Sequence, residues 1–514
     1  MFRGFFSTWA GLIINAVVLL LLTPVLVHGL GAFYYGMWIL VSSVMDNYGL
    51  LDIGMTYSMQ RFVARYRGAN DRRAMNETFM TGMSVAACIS LAVFVVTAIL
   101  IGLLPGFFHL SGQARSLFRV LLIIQSGTIA FSMPQRIMGA YMNGLHRFDL
   151  YNACGALQGI LKGLVFWAII HFGGRVLAVT VAQLLIIAFM LLITGFATWV
   201  ADPQLRMRSQ DLNWARTREM GQFSVFVFVS NISTRLKFFT DSIVIAHVLT
   251  VALTTPFNVV GRLMEMFRLA FYPITGPLAT AMNKLEGEQR RPEMDVLLLR
   301  STRICTLLAF LGGQILLLHG KDILRIWMGA PYAAYYNLMV ILTVGYIVML
   351  MQQGSYAYLY ARGGHKVTAV LALADGLANL GLSMYWAKNW GLAGVALGTT
   401  VPILIVSVFI QPWYTLRLAR IRWSAYFQQA FLRPLIVASL ALPCGLLIRW
   451  QVRANSLVKL GLVSSIESLL FISLAYKLSF DDYERRRTRQ YVINLFYKLR
   501  LLKQSGYEVA RYFH

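Results

Sequence analysis

The chain has 514 residues, of which 58% are apolar and only 13% are charged, and its mean hydropathy is +0.63. Soluble domains carry about 25% charged residues, so this composition excludes an ordinary soluble enzyme and a disordered or collagen-like chain. A net charge of +25 would suggest a nucleic-acid partner in a soluble protein. Here the positive charges follow the loops between apolar stretches, which indicates membrane orientation and no nucleic acid.

Apolar stretches long enough to cross a bilayer recur along the chain. A spanning helix needs roughly 20 apolar residues. The first stretch is interpreted as a span and not as a cleavable signal, because it is long and no small-residue cleavage site follows it. We predict fourteen spans, at about 5–30, 33–60, 78–104, 114–141, 149–171, 176–200, 220–248, 252–280, 298–319, 333–360, 366–388, 391–416, 428–449 and 455–477.

The basic residues alternate between the two sides of the predicted membrane. With a cytoplasmic N-terminus, and with basic residues near the end of a span counted with the adjacent loop, 31 Lys and Arg residues fall on the inner side, 9 fall on the outer side and 6 lie deep within spans. Because cytoplasmic loops carry an excess of basic residues, both termini are predicted to be cytoplasmic in a bacterial inner membrane. The basic tail at 479–514 has helical apolar spacing from 492 to 502 and is predicted to lie on the anionic inner leaflet. The alternative is a topology anchor without a specific ligand.

The two halves of the chain resemble each other at a nearly constant offset of 217–219 residues. The segment 4–7 matches 221–224, the segment 144–147 matches 363–366, and His28 matches His247. Two units of six spans share one orientation, which is typical of transporters that bind substrate between two lobes. The sequence predicts an all-α polytopic membrane protein with an N-lobe (1–200), a cytoplasmic linker (201–219), a C-lobe (220–416), two further spans (417–478) and the tail (479–514).

Charged residues within spans are the candidates for function. Each costs roughly 2.5–3.5 kcal/mol at mid-bilayer on the insertion scale. Arg262, Glu265 and Arg268 form one stripe on span 8, and Arg235 lies in span 7. The corresponding positions of the N-lobe are uncharged, so we predict an asymmetric cationic site that binds a phosphate-bearing anion. The alternative is a self-neutralising structural triad.

Two intramembrane carboxylates are candidates for ion coupling. Asp46 lies in span 2 and Asp241 in span 7, and either could bind H⁺ or Na⁺. The alternatives are a local hydrogen bond for Asp46 and a pair between Asp241 and Lys237, four residues before it. The sequence contains no GxxxxGK[ST], HExxH or GxSxG motif and no long soluble stretch. We therefore expect no ATP site, no cofactor and no enzymatic activity.

The stretch at 30–73 resembles the second-span region of the polysaccharide transporter family, the flippases of O-antigen and other lipid-linked oligosaccharides. This family belongs to the superfamily that also holds the multidrug-and-toxin-extrusion transporters and the lipid II flippase. Similarity at the level of motifs is confined to the first hundred residues, and the similarity in architecture covers most of the chain. The matching pieces are Leu30-Gly31, Tyr35-Gly36-Met37-Trp38, Leu50-Leu51-Asp52-Ile53-Gly54, Arg61-Phe62-Val63-Ala64 and Asp71-Arg72.

The resemblance implies a V-shaped cavity between two six-helix lobes and alternating access. It implies a polyprenyl-pyrophosphate oligosaccharide as substrate, with Arg235, Arg262 and Arg268 holding the pyrophosphate and Glu265 orienting them. Lipid II is a less favoured cargo, because span 1 and the middle of span 2 contain no arginine. The alternatives are a cation-coupled multidrug exporter of the same superfamily and a transport-inactive scaffold that recruits polysaccharide polymerases.

Overall fold

The computed structural model describes residues 2–52, 54–206, 208–212, 218, 220, 232, 235, 240–452, 455–482 and 484–490. Within these ranges the secondary structure is helical and contains no strand, which confirms the predicted all-α class.

The first half of the chain forms long helices that pack in antiparallel pairs. The second predicted span is broken, because a 3₁₀ segment at Asn47–Asp52 follows its first half and Gly54 takes a left-handed φ of 76° that ends the helical path. The helices are α1 (Phe2–Leu30), α2 (Ala32–Asp46), α3 (Met55–Gly68), α4 (Arg72–Phe107), α5 (Gly112–Gly144), α6 (Phe148–His171) and α7 (Val176–Ala201).

The second half repeats this pattern and adds a C-terminal hairpin. Its eighth predicted span is also broken into two helices, and the predicted spans at 366–388 and 391–416 are joined through a kink at Gly391. The helices are α8 (Asp241–Val248), α9 (Thr254–Leu269), α10 (Tyr272–Gly287), α11 (Arg291–Met328), α12 (Tyr336–Met351), α13 (Gln353–Ala361), α14 (His365–Leu404), α15 (Gln411–Ala419), α16 (Trp423–Tyr426), α17 (Arg433–Gln451) and α18 (Leu457–Leu478).

Nine of the helical stretches in the described ranges are long and apolar enough to cross a membrane, which makes the chain an integral membrane protein. The number fourteen stays a prediction, because most of the predicted span 220–248 lies outside the described residues and two spans are broken into shorter helices. The nine stretches are Arg72–Phe107, Gly112–Gly144, Phe148–His171, Val176–Ala201, Arg291–Met328, Ala330–Met351, Lys366–Ala419, Trp423–Gln451 and Leu457–Leu478.

The two halves meet at one end of the bundle, which we call the outer end because the charge pattern places it outside. There α2 packs against α9 and the turn before it. Thr254 Oγ1 donates a hydrogen bond to the carbonyl of Gly36 (3.2 Å), and Thr255 Oγ1 donates to that of Ala32 (2.6 Å). The buried apolar core is continuous across this contact, from Met37 of α2 to Met264 of α9. The outer end is therefore closed.

The C-terminal hairpin is attached to α11 by a polar contact inside the apolar bundle. His319 Nε2 lies 2.9 Å from Glu467 Oε1, and the two side chains are almost fully buried. The beginning of the tail is held by Arg303 of α11, which pairs with Asp481 and Glu484. The amphipathic part predicted at 492–502 lies outside the described residues, so binding of the tail to lipid stays a prediction.

One buried carboxylate ties the inner ends of three N-lobe helices together, and its removal is expected to destabilise the fold. Asp202 accepts hydrogen bonds from Arg72 Nη1 (2.7 and 2.8 Å) and from the hydroxyl of Tyr141 (2.7 Å). Asp202→Ala leaves both donors unpaired and is expected to lower the free energy of unfolding by about 1–3 kcal/mol. Thermal unfolding in detergent measures the change.

The matched control is Asp149→Ala. Asp149 pairs with Arg147 at a largely exposed site, where an ion pair contributes less than about 1 kcal/mol. Equal losses for the two variants would contradict the importance of burial at Asp202.

Candidate functional site

A cavity of about 380 Å³ lies between the N-lobe helix α2 and the C-lobe helices α8, α9, α12 and α14. It brings together five of the six residues that the sequence singles out, all but Arg235. Its polar lining consists of Ser42, Ser43, Asp46, Asp241, Ser242, Asn258, Arg262, Glu265, Arg268, Tyr346 and Thr399.

Helix α9 presents its charged stripe to this cavity. Its opposite face carries Val260, Leu263 and Phe267, which are buried in the core. Because residues three and four apart share a face of a helix, burial of the apolar side turns Arg262 and Glu265 toward the cavity. The sequence periodicity alone therefore decides the direction of this stripe.

Arg262 and Glu265 form an ion pair within the cavity. Arg262 Nη1 donates to Glu265 Oε2 at 2.8 Å, and 28% and 37% of the two side chains stay exposed. Within the described part of the chain, Arg262 Nε has no hydrogen-bond partner. The exposed part of the guanidinium faces the cavity and can meet a ligand there, while Glu265 fixes its orientation. Arg268 lines the same cavity one helical turn beyond Glu265.

Asp46 ends helix α2 at the N-lobe side of the cavity. Arg235, from the C-lobe, donates a hydrogen bond to the backbone carbonyl of Asp46 and so links the two lobes instead of lining the cavity. Four cations act electrostatically on the Asp46 carboxylate: Arg235 and Arg262 from the C-lobe, and Arg136 and Lys162 from the N-lobe. Positive charge near the cavity therefore comes from both lobes. The difference in positive charge between the C-lobe and the N-lobe is smaller than a comparison of the repeated positions alone suggests.

Asp241 lies at the start of α8 and is 8% exposed. Thr399 Oγ1 of α14 lies 3.3 and 3.4 Å from its two carboxylate oxygens. The neighbouring Ser242 accepts a hydrogen bond from Asn258 Nδ2 at 2.9 Å. The Thr399 hydroxyl therefore lies beside a buried carboxylate, and oxygen groups of this kind are the ligands that small hard cations prefer. Lys237, the partner considered from the sequence, lies outside the described residues.

The formal charges that line the cavity are two arginines and three carboxylates. An anionic ligand is therefore favoured once some of the carboxylates are neutralised. The sequence missed the uncharged polar residues of the lining, although Ser42 and Ser43 precede Asp46 by about one turn and Asn258 precedes Arg262 by one turn. No sequence signal points to Tyr346 or Thr399, because they reach the cavity from distant helices.

No protein-family model matches the chain. The chain is 20% identical over 396 residues to a Shigella flexneri protein named "Putative O-antigen transporter", covering 76% of this chain and 92% of the relative. It is 21% identical over 488 residues to an uncharacterized membrane protein, EpsK, of Bacillus subtilis strain 168, covering 90% and 92% of the two chains.

Two solved structures share the fold. An inward-facing multidrug resistance MATE transporter of the MOP superfamily matches with a TM-score of 0.70 at 13% identity, over 81% of this chain and 96% of its own. The lipid II flippase MurJ, in an inward closed conformation, matches with a TM-score of 0.69 at 15% identity, over 93% of this chain and 99% of its own. These likenesses confirm the predicted fold, and together with the two relatives they confirm the resemblance to the polysaccharide transporter family. The Shigella relative and the two solved structures are themselves named as transporters or flippases.

Proposed function

We propose that this chain is a flippase that moves a polyprenyl-pyrophosphate-linked oligosaccharide from the cytoplasmic to the periplasmic leaflet for cell-surface polysaccharide assembly. The observation that carries the proposal is the cavity between the lobes, into which Arg262 and Arg268 both project. The name of the Shigella relative and the fold shared with a lipid II flippase support it.

The cavity suits the polar head of such a lipid. Its volume of about 380 Å³ falls in the range of roughly 300–1,000 Å³ that is common for small-ligand sites. Guanidinium groups bind phosphate oxygens through paired, charge-assisted hydrogen bonds. We assign the pyrophosphate to Arg262 and Arg268, and the nearest sugar to the neutral Ser42, Ser43 and Asn258, while the polyprenol stays in lipid.

Alternating access fits the way the lobes meet. The contact of α2 with α9 closes the outer end, so this conformation loads from the opposite, cytoplasmic side. Arg235 ties the lobes to each other at the inner side of α2 through the Asp46 carbonyl. Transport then requires the outer contact to open and the inner ends to approach each other, with both termini cytoplasmic.

Binding of a cation would prepare the cavity for the pyrophosphate. Neutralising one of Asp46 and Asp241 with H⁺ or Na⁺ balances the formal charges of the lining, and neutralising both leaves it positive. By linkage, each ligand then raises the affinity for the other by the same factor. Asp241 is the stronger candidate because it is buried and because the Thr399 hydroxyl, which donates a hydrogen bond to it here, lies beside the carboxylate.

The proposal is tested by translocation of a fluorescent polyprenyl-pyrophosphate oligosaccharide in proteoliposomes, with an organic cation as parallel cargo. Movement of the lipid-linked sugar supports the flippase. Movement of the organic cation alone would overturn it in favour of a multidrug exporter, which the three cavity carboxylates and the MATE-like fold also favour. Movement of neither cargo, with cell-surface glycan still dependent on the chain, would favour a scaffold.

Asp241→Asn is expected to abolish the dependence of translocation on the coupling cation. The amide keeps the shape of the carboxylate but cannot bind a proton or balance the charge of Na⁺. Initial rates measured across a Na⁺ series and a pH series should become flat in the variant. Asp322→Asn is the matched control, because Asp322 pairs with Arg325 away from the cavity. Unchanged ion dependence in Asp241→Asn would remove the assignment.

A further inference from the structure

Two histidines fasten the lobes to each other at the closed outer end. His28 Nε2 lies 2.9 Å from the backbone oxygen of Met328, across the boundary between N-lobe and C-lobe. His247 Nδ1 lies 2.8 Å from the backbone oxygen of Phe107, across the same boundary in the reverse direction. A carbonyl oxygen only accepts, so the nitrogen that faces it carries the hydrogen in both contacts.

The two contacts are related by the internal repeat. His28 lies in the last turn of α1 and His247 in the last turn of α8, at the sequence offset of 219. Their acceptors Phe107 and Met328 are the last residues of α4 and α11. Each lobe therefore gives one histidine donor and one helix-end carbonyl to the other. A reciprocal arrangement of this kind is what a two-fold symmetric gate requires.

The acceptors are suited to this role. The last four carbonyls of a helix have no partner within the helix and carry the negative end of its dipole. A side-chain N–H from the opposite lobe satisfies one of them only while the lobes touch. The Phe107 ring also stacks on the His247 ring, with centroids 4.0 Å apart and 8° between the planes. Opening the outer end would break all of these contacts together.

We propose that His28 and His247 form a reciprocal latch that holds the outer gate closed and is released in each transport cycle. The inference rests on the alternating access of the proposed function, but it concerns a conformational equilibrium that is measured without substrate. The latch residues are positioning residues, because neither lines the central cavity.

The donor geometry allows a test by side-chain mimicry. A glutamine amide nitrogen reaches about as far as Nε2 of histidine, and an asparagine amide nitrogen about as far as Nδ1. His28→Gln and His247→Asn should therefore keep the latch. His28→Asn, His247→Gln and the two leucine variants should break it. His171→Leu is the matched control, because His171 is at the outer end but stacks on Trp167 of its own helix.

The readout is the distance between spin labels at Gln113→Cys and Ala334→Cys, two exposed outer positions in opposite lobes, measured by double electron–electron resonance. Cys88, Cys154 and Cys444 are replaced by serine, and the buried Cys305 is retained. Breaking one latch contact is expected to raise the ratio of open to closed outer gates by roughly 2- to 10-fold, as the net value of one hydrogen bond implies. Breaking both should multiply the two effects.

The proposal is overturned if both leucine variants keep the wild-type distance distribution. It is equally overturned if His28→Asn restores closure as well as His28→Gln does, because donor position would then be irrelevant. Thermal unfolding of each variant identifies loss of fold. If the distances shift as expected while lipid-linked sugar does not cross, the latch stands and the proposed function fails.

Discussion

Arg262→Ala is expected to reduce translocation of the lipid-linked oligosaccharide by about 10- to 100-fold, the usual value of a lost charge-assisted hydrogen bond. Arg262 lines the cavity with 28% of its side chain exposed and is held by Glu265 at 2.8 Å. Alanine removes the cation that receives the pyrophosphate. Among the described residues, Arg268 then remains as the one cation of the lining, against three carboxylates, so the cavity repels an anionic ligand. Initial rates in proteoliposomes measure the loss.

The double variant Arg262→Ala/Glu265→Ala separates a substrate site from a structural pair. If the pair is only structural, removing both partners relieves the stranded carboxylate, and activity should recover. If Arg262 binds the pyrophosphate, the double variant should remain as inactive as the single one. Arg175→Ala, in a predicted outer loop away from the cavity, controls for a general loss of positive charge. Recovery in the double variant would contradict the site.

Gly36→Leu is expected to prevent closure of the outer end and to reduce translocation to background. A Cβ at position 36 would overlap the carbonyl oxygen of Val251 and lie 2.8 Å from Thr254 Oγ1 of the opposite lobe. Backbone cannot move aside as a flexible side chain can, so the lobes would have to separate. Gly36→Ala should act in the same direction with a smaller effect. The label pair at positions 113 and 334 reports the opening directly.

The control for Gly36 is Gly102→Ala. A methyl group at position 102 would meet no atom within 4 Å, and alanine there gains helix propensity of up to about 1 kcal/mol. Gly102→Ala should keep both the closed outer end and the transport rate. Wild-type rates in Gly36→Leu would contradict the inference that this contact opens and closes during transport. A folded but outward-open Gly36→Leu protein would agree with it.

The two expected results probe different steps. Arg262 acts on the bound head group within the cavity, whereas Gly36 acts on access to that cavity. A substrate-binding defect in Arg262→Ala should therefore leave the distance between the outer labels unchanged. A gating defect in Gly36→Leu should change that distance in the absence of substrate. If Arg262→Ala lowers transport at an unchanged label distance and Gly36→Leu changes that distance, two independent measurements would separate substrate binding in the cavity from opening of the outer end.

The sequence by itself determined the class of protein, most of the spans and the orientation of the charged stripe on α9. Each of these depends on local properties: apolar length against bilayer thickness, and residue spacing against the helical turn. The ion pair between Arg262 and Glu265 follows from the same spacing, and the structure shows it. The break in the second span was not predicted, because the apolar pattern continues through it.

Only the tertiary structure decided which charges share a cavity and which residues close the outer end. Asp46 and Asp241 are 195 residues apart, and they face the same space only because α2 and α8 come from lobes that pack against each other. Arg235 binds a backbone carbonyl, and Thr399 approaches Asp241 from a helix far along the chain. His28 and His247 match in the repeat, but their partners are backbone atoms of the opposite lobe. Any residue type supplies such an acceptor, so no sequence pattern marks it, and only the packing of the lobes selects it.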